Sequence, residues 1–105
     1  MDKNEAIKIA QEYVLLVSRY YNVNQAFLFG SFAKGNSNPD SDIDVAIVIN
    51  NPVADIIDTQ IELMKLRRKI DLRIEPHPFI YDDFKQSNPV VYEILKYGIS
   101  VEKSA

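Results

Sequence analysis

The feature that most constrains this fold is a short apolar strand that ends at Gly30-Ser31, followed after ten residues by a second strand that opens with Asp42-Ile43-Asp44. Because side chains alternate along a strand, the two aspartates share one face, with their Cα atoms roughly 7 Å apart. The apolar residues of the second strand take the opposite face, where helices can cover them. Aspartate is disfavoured in strands, so this placement indicates a chemical use.

Hydrophobic periodicity and turn residues divide the rest of the chain into helices and strands. The expected elements are, in order, a helix over 5–20, a strand over 25–29, a helical turn over 31–34, a loop over 35–41, a strand over 42–49, a helix over 54–69, a strand over 70–75, a turn near 81–84, a helix over 89–97 that Gly98 caps, and a terminal strand over 99–101. On the second long helix, the residues predicted to face the core are Ile57, Ile61, Met64 and Leu66.

The polar residues also predict the directions of the strands. The first strand ends at its glycine, whereas the second and third begin with aspartates, so Ser31, Asp42 and Asp71 meet only if the first two strands are antiparallel. The third strand must then run parallel to the second, with helix 54–69 as a right-handed crossover. The predicted fold class is α/β, with a small mixed sheet that has helices on one face and an open catalytic face.

Composition narrows the classes of protein to which this chain can belong. With 105 residues, a hydrophobic fraction of 47% and a charged fraction of 26%, it is expected to form a single domain over residues 1–105. No apolar run approaches the ~20 residues of a membrane span, and the charged first residues lack a signal core, so a cytoplasmic location is expected. The absence of cysteine excludes thiolate chemistry, and the net charge of −3 argues against stable non-specific nucleic-acid binding.

Three carboxylates are predicted to converge on the open face. Asp71 is expected second in strand 70–75, where it shares a polar face with Arg73 and Glu75. Carboxylates gathered at one point repel one another, and divalent cations relieve that repulsion. Magnesium, which prefers oxygen ligands and substrate phosphates, suits such a site. Gly30 allows the backbone to approach a phosphate, and Ser31 offers its hydroxyl and N–H groups at a helical N-terminus.

Two further residues near the third strand have competing interpretations. Arg73 either balances the charge of Asp71 or contacts a substrate phosphate. His77 is the only histidine and lies between two prolines. It is interpreted as a surface loop residue rather than a catalytic one.

The phosphate-loop and aspartate segments together resemble a known family signature. The segments are Gly30-Ser31-Phe32-Ala33-Lys34-Gly35 and Ser41-Asp42-Ile43-Asp44-Val45. They resemble the signature of the nucleotidyltransferase superfamily that includes DNA polymerase beta, and the short length resembles its minimal nucleotidyltransferases, the MNT proteins. The resemblance covers nearly the whole chain. It implies that Gly30 and Ser31 hold the β- and γ-phosphates of the nucleotide, while Lys34, standing where the family often has arginine, adds a phosphate contact.

The same resemblance implies a reaction and its metals. Asp42 and Asp44 would bind two magnesium ions, while Asp71 would ligate one ion and help to deprotonate the acceptor hydroxyl. The implied reaction transfers AMP from ATP to a hydroxyl and releases pyrophosphate. Because all three carboxylates are present, a catalytic protein is favoured over an inactive copy.

The acceptor must dock from elsewhere, since so small a domain has no room for an acceptor-binding module. For MNT proteins the resemblance implies a partner toxin with a HEPN domain, which the antitoxin neutralises by adenylylating a tyrosine. Two alternatives remain: an antitoxin that only masks the toxin by binding, and a nucleotidyltransferase for a small molecule such as an aminoglycoside. Assembly into a homo- or hetero-oligomer is left open.

Overall fold

A computed structural model describes residues 1–50 and 55–101 of the chain. Its elements are α1 (Lys3–Val17), β1 (Val23–Phe29), α2 (Ser31–Lys34), β2 (Ile43–Ile49), α3 (Ile56–Leu66), a 3-10 turn (Arg67–Lys69), β3 (Ile74–Ile80), a second 3-10 turn (Tyr81–Asp83), α4 (Pro89–Tyr97) and β4 (Ile99–Ser100). The order of helices and strands agrees with the sequence prediction. Residue 54, the predicted start of the second long helix, lies outside the described residues. Among those described, no helix combines the length and apolar character that crossing a membrane requires.

The four strands form one mixed sheet in the order β3-β2-β1-β4. Strand β2 pairs antiparallel with β1 and parallel with β3, and β4 pairs antiparallel with β1. These directions confirm the strand arrangement predicted from the polar residues, and they confirm the α/β fold class. The end of β1 and the start of β2 therefore lie side by side, at the same end of the sheet as the start of β3.

The sheet carries its main core on one face and a smaller cluster on the other. The main cluster packs α1 and α3 against the odd-numbered residues of β2, which include Val45 and Ile47. On the other face, Ile94 of α4 forms a small apolar cluster with Phe29 and Ala46. The face predicted to be open is therefore partly covered by α4.

Helix α3 turns a different face to the sheet than the sequence predicted. Leu63 is fully buried, whereas Ile57 is 67% exposed and Ile61 is 49% exposed. Thr59 is buried, and its hydroxyl is satisfied by donating to the carbonyl of Asp55, at 3.0 Å, within the helix. Of the predicted core residues, Leu66 is buried as expected. Apolar residues occupy two adjacent faces of this helix, so periodicity alone could not identify the buried one.

Strand β3 begins four residues later than predicted and runs through two prolines. Pro76 and Pro78 lie in register with Val45 and Ile47 on β2. Because β3 is an edge strand of the described sheet, their nitrogens point away from β2 and remove no ladder hydrogen bond. The outward carbonyl of Pro76 accepts a hydrogen bond from the side chain of Gln60 at 3.0 Å. The prediction that this strand ends at Pro76 was wrong, because proline is compatible with an edge at alternate positions.

Candidate functional site

Gly30 forms a sharp corner between β1 and α2. Its φ of 74° and ψ of −148° belong to a region that side chains rarely adopt. A Cβ atom built on Gly30 would lie 2.3 Å from Oδ2 of Asp44. The corner thus brings the backbone against a carboxylate, and only glycine leaves the room for it. Ser31 begins α2 directly after this corner, as the sequence predicted.

The two aspartates at the start of β2 have different environments. Asp44 is paired in register with Phe29 of β1, which places it beside the Gly30 corner. Its side chain is 25% exposed, and its Oδ1 atom lies 3.1 Å from Nε2 of His77. Asp42 comes just before the strand and is exposed. The structure therefore gathers Gly30 and Asp44 tightly, with Asp42 two residues away along the chain.

Two residues of β3 reach the same face of the sheet as Asp44. Glu75 is the register partner of Asp44 on the parallel strand, so the two side chains point to the same side. His77 follows two residues later on that side, and its ring meets the ring of Phe29 at a centroid distance of 4.9 Å. The interpretation of His77 as a loop residue was wrong, because β3 continues through the prolines. Prolines at positions 76 and 78, spaced by two, were the signal that could have revealed an edge strand there.

Asp71 lies in the turn before β3, rather than second in the strand. Its carboxylate accepts two hydrogen bonds from the Arg73 guanidinium, at 2.9 Å from Nε and 2.7 Å from a terminal nitrogen. The backbone N–H of Arg73 donates a third, at 2.8 Å. The side-chain hydrogen bond from Arg73 is the main reason that the pKa of Asp71 is lowered. The structure shows Arg73 balancing the charge of Asp71, and its contact with a substrate phosphate stays a prediction.

Lys34, at the end of α2, is held by α4. Its ammonium group forms an ion pair with Glu93 and lies 5.3 Å from the centre of the Tyr97 ring. The hydrogen bond to Glu93 is the main cause of a raised pKa at Lys34. Both charged side chains are more than one-third exposed, so this pair is weak. A phosphate could compete for the ammonium group at little cost.

The donors at this corner suit a hard divalent cation that is completed by substrate phosphates. Asp42, Asp44 and Glu75 supply only carboxylate oxygens, the ligands that magnesium prefers. Among the described residues, no three acidic, histidine or cysteine side chains are already clustered as a complete metal site. Magnesium is commonly held by one or two carboxylates together with phosphates, so an incomplete protein cluster fits this mode of binding.

Known structures share this fold. A proposed nucleotidyltransferase from Sulfolobus solfataricus superposes with a TM-score of 0.69 at 21% identity, covering 96% of this chain and 83% of that one. A toxin–antitoxin structure with AMP-PNP gives a TM-score of 0.62 at 20% identity, covering 99% of this chain and 75% of that one. A mutant of the toxin–antitoxin MntA–HpeT gives a TM-score of 0.58 at 20% identity, covering 99% of this chain and 75% of that one.

A comparison with curated proteins finds no match. The family described as "Polymerase beta, Nucleotidyltransferase" matches residues 8–103, a range that includes the Gly30 corner, both aspartates of the second strand, and β3. Since that match spans nearly the whole chain, this protein belongs to the polymerase beta nucleotidyltransferase family.

Proposed function

We propose that this protein is a metal-dependent nucleotidyltransferase that transfers AMP from ATP to a hydroxyl group and releases pyrophosphate. The observation that carries the proposal is the contact between the Gly30 corner and the Asp44 carboxylate. In this contact, Oδ2 of Asp44, the oxygen we assign to magnesium, lies directly against the backbone at the start of α2. Membership of the nucleotidyltransferase family supports the same reaction.

In this proposal each residue at the corner has a distinct task. The Gly30 and Ser31 backbone holds the β- and γ-phosphates, because unpaired N–H groups at the start of a helix favour an anion there. Asp42 and Asp44 hold two magnesium ions. When bound, the ions neutralise the phosphate charge and stabilise the attacking and leaving oxygens. Lys34 exchanges Glu93 for a phosphate oxygen when the nucleotide enters.

The third carboxylate of the site has two candidates. The sequence points to Asp71, whose two oxygens are both engaged by Arg73. The register points to Glu75, which is opposite Asp44 on the same face. Glu75 forms an ion pair with Arg67, with 4.0 Å between the guanidinium and carboxylate atoms. We favour Glu75 as the base that takes the proton from the acceptor hydroxyl. Its side chain lies on the face of Asp44, whereas Asp71 would first have to break its two hydrogen bonds with the Arg73 guanidinium. In this arrangement Asp71 orients Arg73, whose guanidinium would have to leave Asp71 before it could contact a nucleotide.

We further propose that the acceptor is a tyrosine of a partner toxin with a HEPN domain, and that this chain acts as its antitoxin. Two solved structures with this fold are toxin–antitoxin structures, one of them with AMP-PNP. The phenol of a tyrosine presents an exposed hydroxyl that a carboxylate and a metal can activate. Masking of the toxin without transfer, and transfer to a small molecule such as an aminoglycoside, are the outcomes that would replace this proposal.

The test is transfer of label from α-³²P-ATP to the purified partner, with magnesium or with EDTA. Wild-type protein should label the partner only with magnesium, and Asp42→Asn should abolish labelling. Asp40→Asn is the matched control, because Asp40 lies two residues earlier in the exposed loop. Labelling that is equal with and without EDTA would refute the metal site. Label found on a residue other than tyrosine would refute the acceptor while leaving the transferase intact.

A second comparison separates the two candidate carboxylates. Glu75→Gln should abolish labelling while Asp71→Asn reduces it only partly, because Glu75 shares the face of Asp44 and Asp71 does not contact it. The reverse order would assign the role to Asp71. Pull-down of the partner by each variant controls for loss of docking. A transfer-dead variant that still protects cells fully, at native expression, would support masking instead.

A further inference from the structure

His77 contacts the candidate site without belonging to any predicted set of ligands. It lies in the middle of β3, on the face that carries Asp44, and its side chain is 36% exposed. The ring packs against the ring of Phe29 at an interplanar angle of 67°. Phe29 is itself the register partner of Asp44. The imidazole is therefore fixed from one side by an aromatic ring that belongs to the same corner.

The hydrogen bond between His77 and Asp44 has a defined direction. An ionised carboxylate can only accept, so the imidazole Nε2–H donates to Oδ1 of Asp44 at 3.1 Å. The other oxygen, Oδ2, is the atom that a Cβ on Gly30 would strike. The two oxygens of Asp44 are thus assigned to different neighbours: Oδ1 to His77 and Oδ2 to the backbone corner.

We propose that His77 is a positioning residue, which orients the Asp44 carboxylate so that Oδ2 faces the phosphate-binding corner; this inference rests on the proposed metal-dependent function. The terminal torsion of an aspartate is broad and roughly two-fold, so the carboxylate of Asp44 is not oriented by its own rotamer preference. A hydrogen bond to one oxygen removes that freedom. Loss of a group that hydrogen-bonds a metal ligand in this way typically weakens metal binding by about 10–100-fold.

Variants of His77 can separate the effect of its hydrogen-bond donor from the effect of its ring packing against Phe29. His77→Phe keeps a flat ring against Phe29 and removes the donor. His77→Gln removes the ring and places an amide nitrogen at about the distance of Nε2 from the backbone. His77→Asn places its amide nitrogen at the level of Nδ1, which is too short to reach Asp44. The three variants therefore sort the donor from the ring.

The experiment is a titration of each full-length variant with Mn²⁺ in the presence of AMP-PNP, followed by the electron paramagnetic resonance signal of free Mn²⁺. Relative to wild type, His77→Phe and His77→Asn should each weaken Mn²⁺ binding by about tenfold or more, and His77→Gln should stay within about threefold. Thermal melting without metal identifies any variant that fails to fold. If His77→Phe does not fold, the comparison of His77→Gln with His77→Asn gives the same decision.

Two results would overturn the positioning role. One is wild-type affinity in His77→Phe, or in His77→Asn, which would show that no donor is needed. The other is a loss in His77→Gln as large as that in His77→Phe or His77→Asn, which would show that the donor does not account for the effect. Failure of the wild-type protein itself to bind Mn²⁺ with AMP-PNP would instead refute the proposed function, so the two failures are distinguishable.

Discussion

Replacing Gly30 by alanine tests the contact on which the candidate site depends. Gly30 and Gly35 both have a positive φ, of 74° and 79°. An added Cβ would meet Asp44 at position 30 but would meet nothing within 4 Å at position 35. Gly35→Ala is therefore a matched control that carries backbone strain without the carboxylate contact.

The expected magnitudes follow from these two environments. Gly35 has the ordinary left-handed conformation, where an alanine costs about 1–2 kcal/mol. The ψ of −148° at Gly30 lies in a region used almost only by glycine, which costs about 1–3 kcal/mol for another residue. The added methyl also forces the Asp44 carboxylate to turn, with loss of its hydrogen bond from His77, worth about 1.5–3 kcal/mol for a charged group. Gly30→Ala should therefore destabilise the fold by about 4 kcal/mol, and Gly35→Ala by about 1.5 kcal/mol.

Urea unfolding of the two variants measures this difference, with unchanged slopes showing that the native states remain comparable. Binding of Mn²⁺ with AMP-PNP provides the second measurement: Gly30→Ala should lose it, and Gly35→Ala should retain it. Equal losses of stability, within about 0.5 kcal/mol, would refute the reasoning, since this is the usual scatter of surface substitutions. Full Mn²⁺ affinity in Gly30→Ala would refute the role of the Gly30 corner in metal and nucleotide binding.

Three further outcomes are expected. In urea unfolding, Leu63→Ala should cost about 2–5 kcal/mol because Leu63 is fully buried, whereas Ile57→Ala should stay within about 0.5 kcal/mol; equal costs would contradict the buried face of α3. Burial, and then the hydrogen bond to Glu62, raise the pKa of Tyr21 from 10.0 to about 12. The neutral phenol therefore stabilises the fold fully below pH 10, and this stabilisation is lost as the pH rises through 12. The free energy of unfolding of wild type should therefore fall relative to that of Tyr21→Phe between pH 10 and pH 12. A difference between the two proteins that stays constant over this range would contradict the raised pKa of Tyr21. Asp42→Asn should leave the metal-free melting temperature unchanged or slightly higher, because it removes a repelling charge; a clear decrease in melting temperature measured in EDTA would contradict this.

The strand arrangement was predictable because it followed from a short-range pattern with one geometric condition. Gly30 ends one strand and Asp42 opens the next, so the two can meet only across an antiparallel pair. The structure confirms that pairing, with Phe29 opposite Asp44. It also confirms the parallel third strand that helix α3 connects to β2. The antiparallel pair followed from the turn at Gly30 and the aspartates that open the next strand, whereas the parallel third strand followed from the requirement that Asp71, which lies just before β3, reach the same end of the sheet.

The third strand was harder because two local rules competed. Proline disfavours a strand interior, and this rule ended the predicted strand at Pro76. The rule does not apply when the strand is at the edge of a sheet and the prolines point outward, and the position of a strand within a sheet is not a local property. This rule also placed His77 in a loop, whereas the assignment of Asp71 to the strand came from a predicted start four residues too early.

The sequence by itself determined the corner at Gly30 and the directions of three strands, because these follow from the turn residues and aspartates placed at the strand ends. Only the tertiary structure decided which carboxylate stands opposite Asp44, that His77 donates to it, and which face of α3 is buried. These depend on register and on packing between distant segments, where a shift of a few residues changes every partner while leaving the local pattern intact.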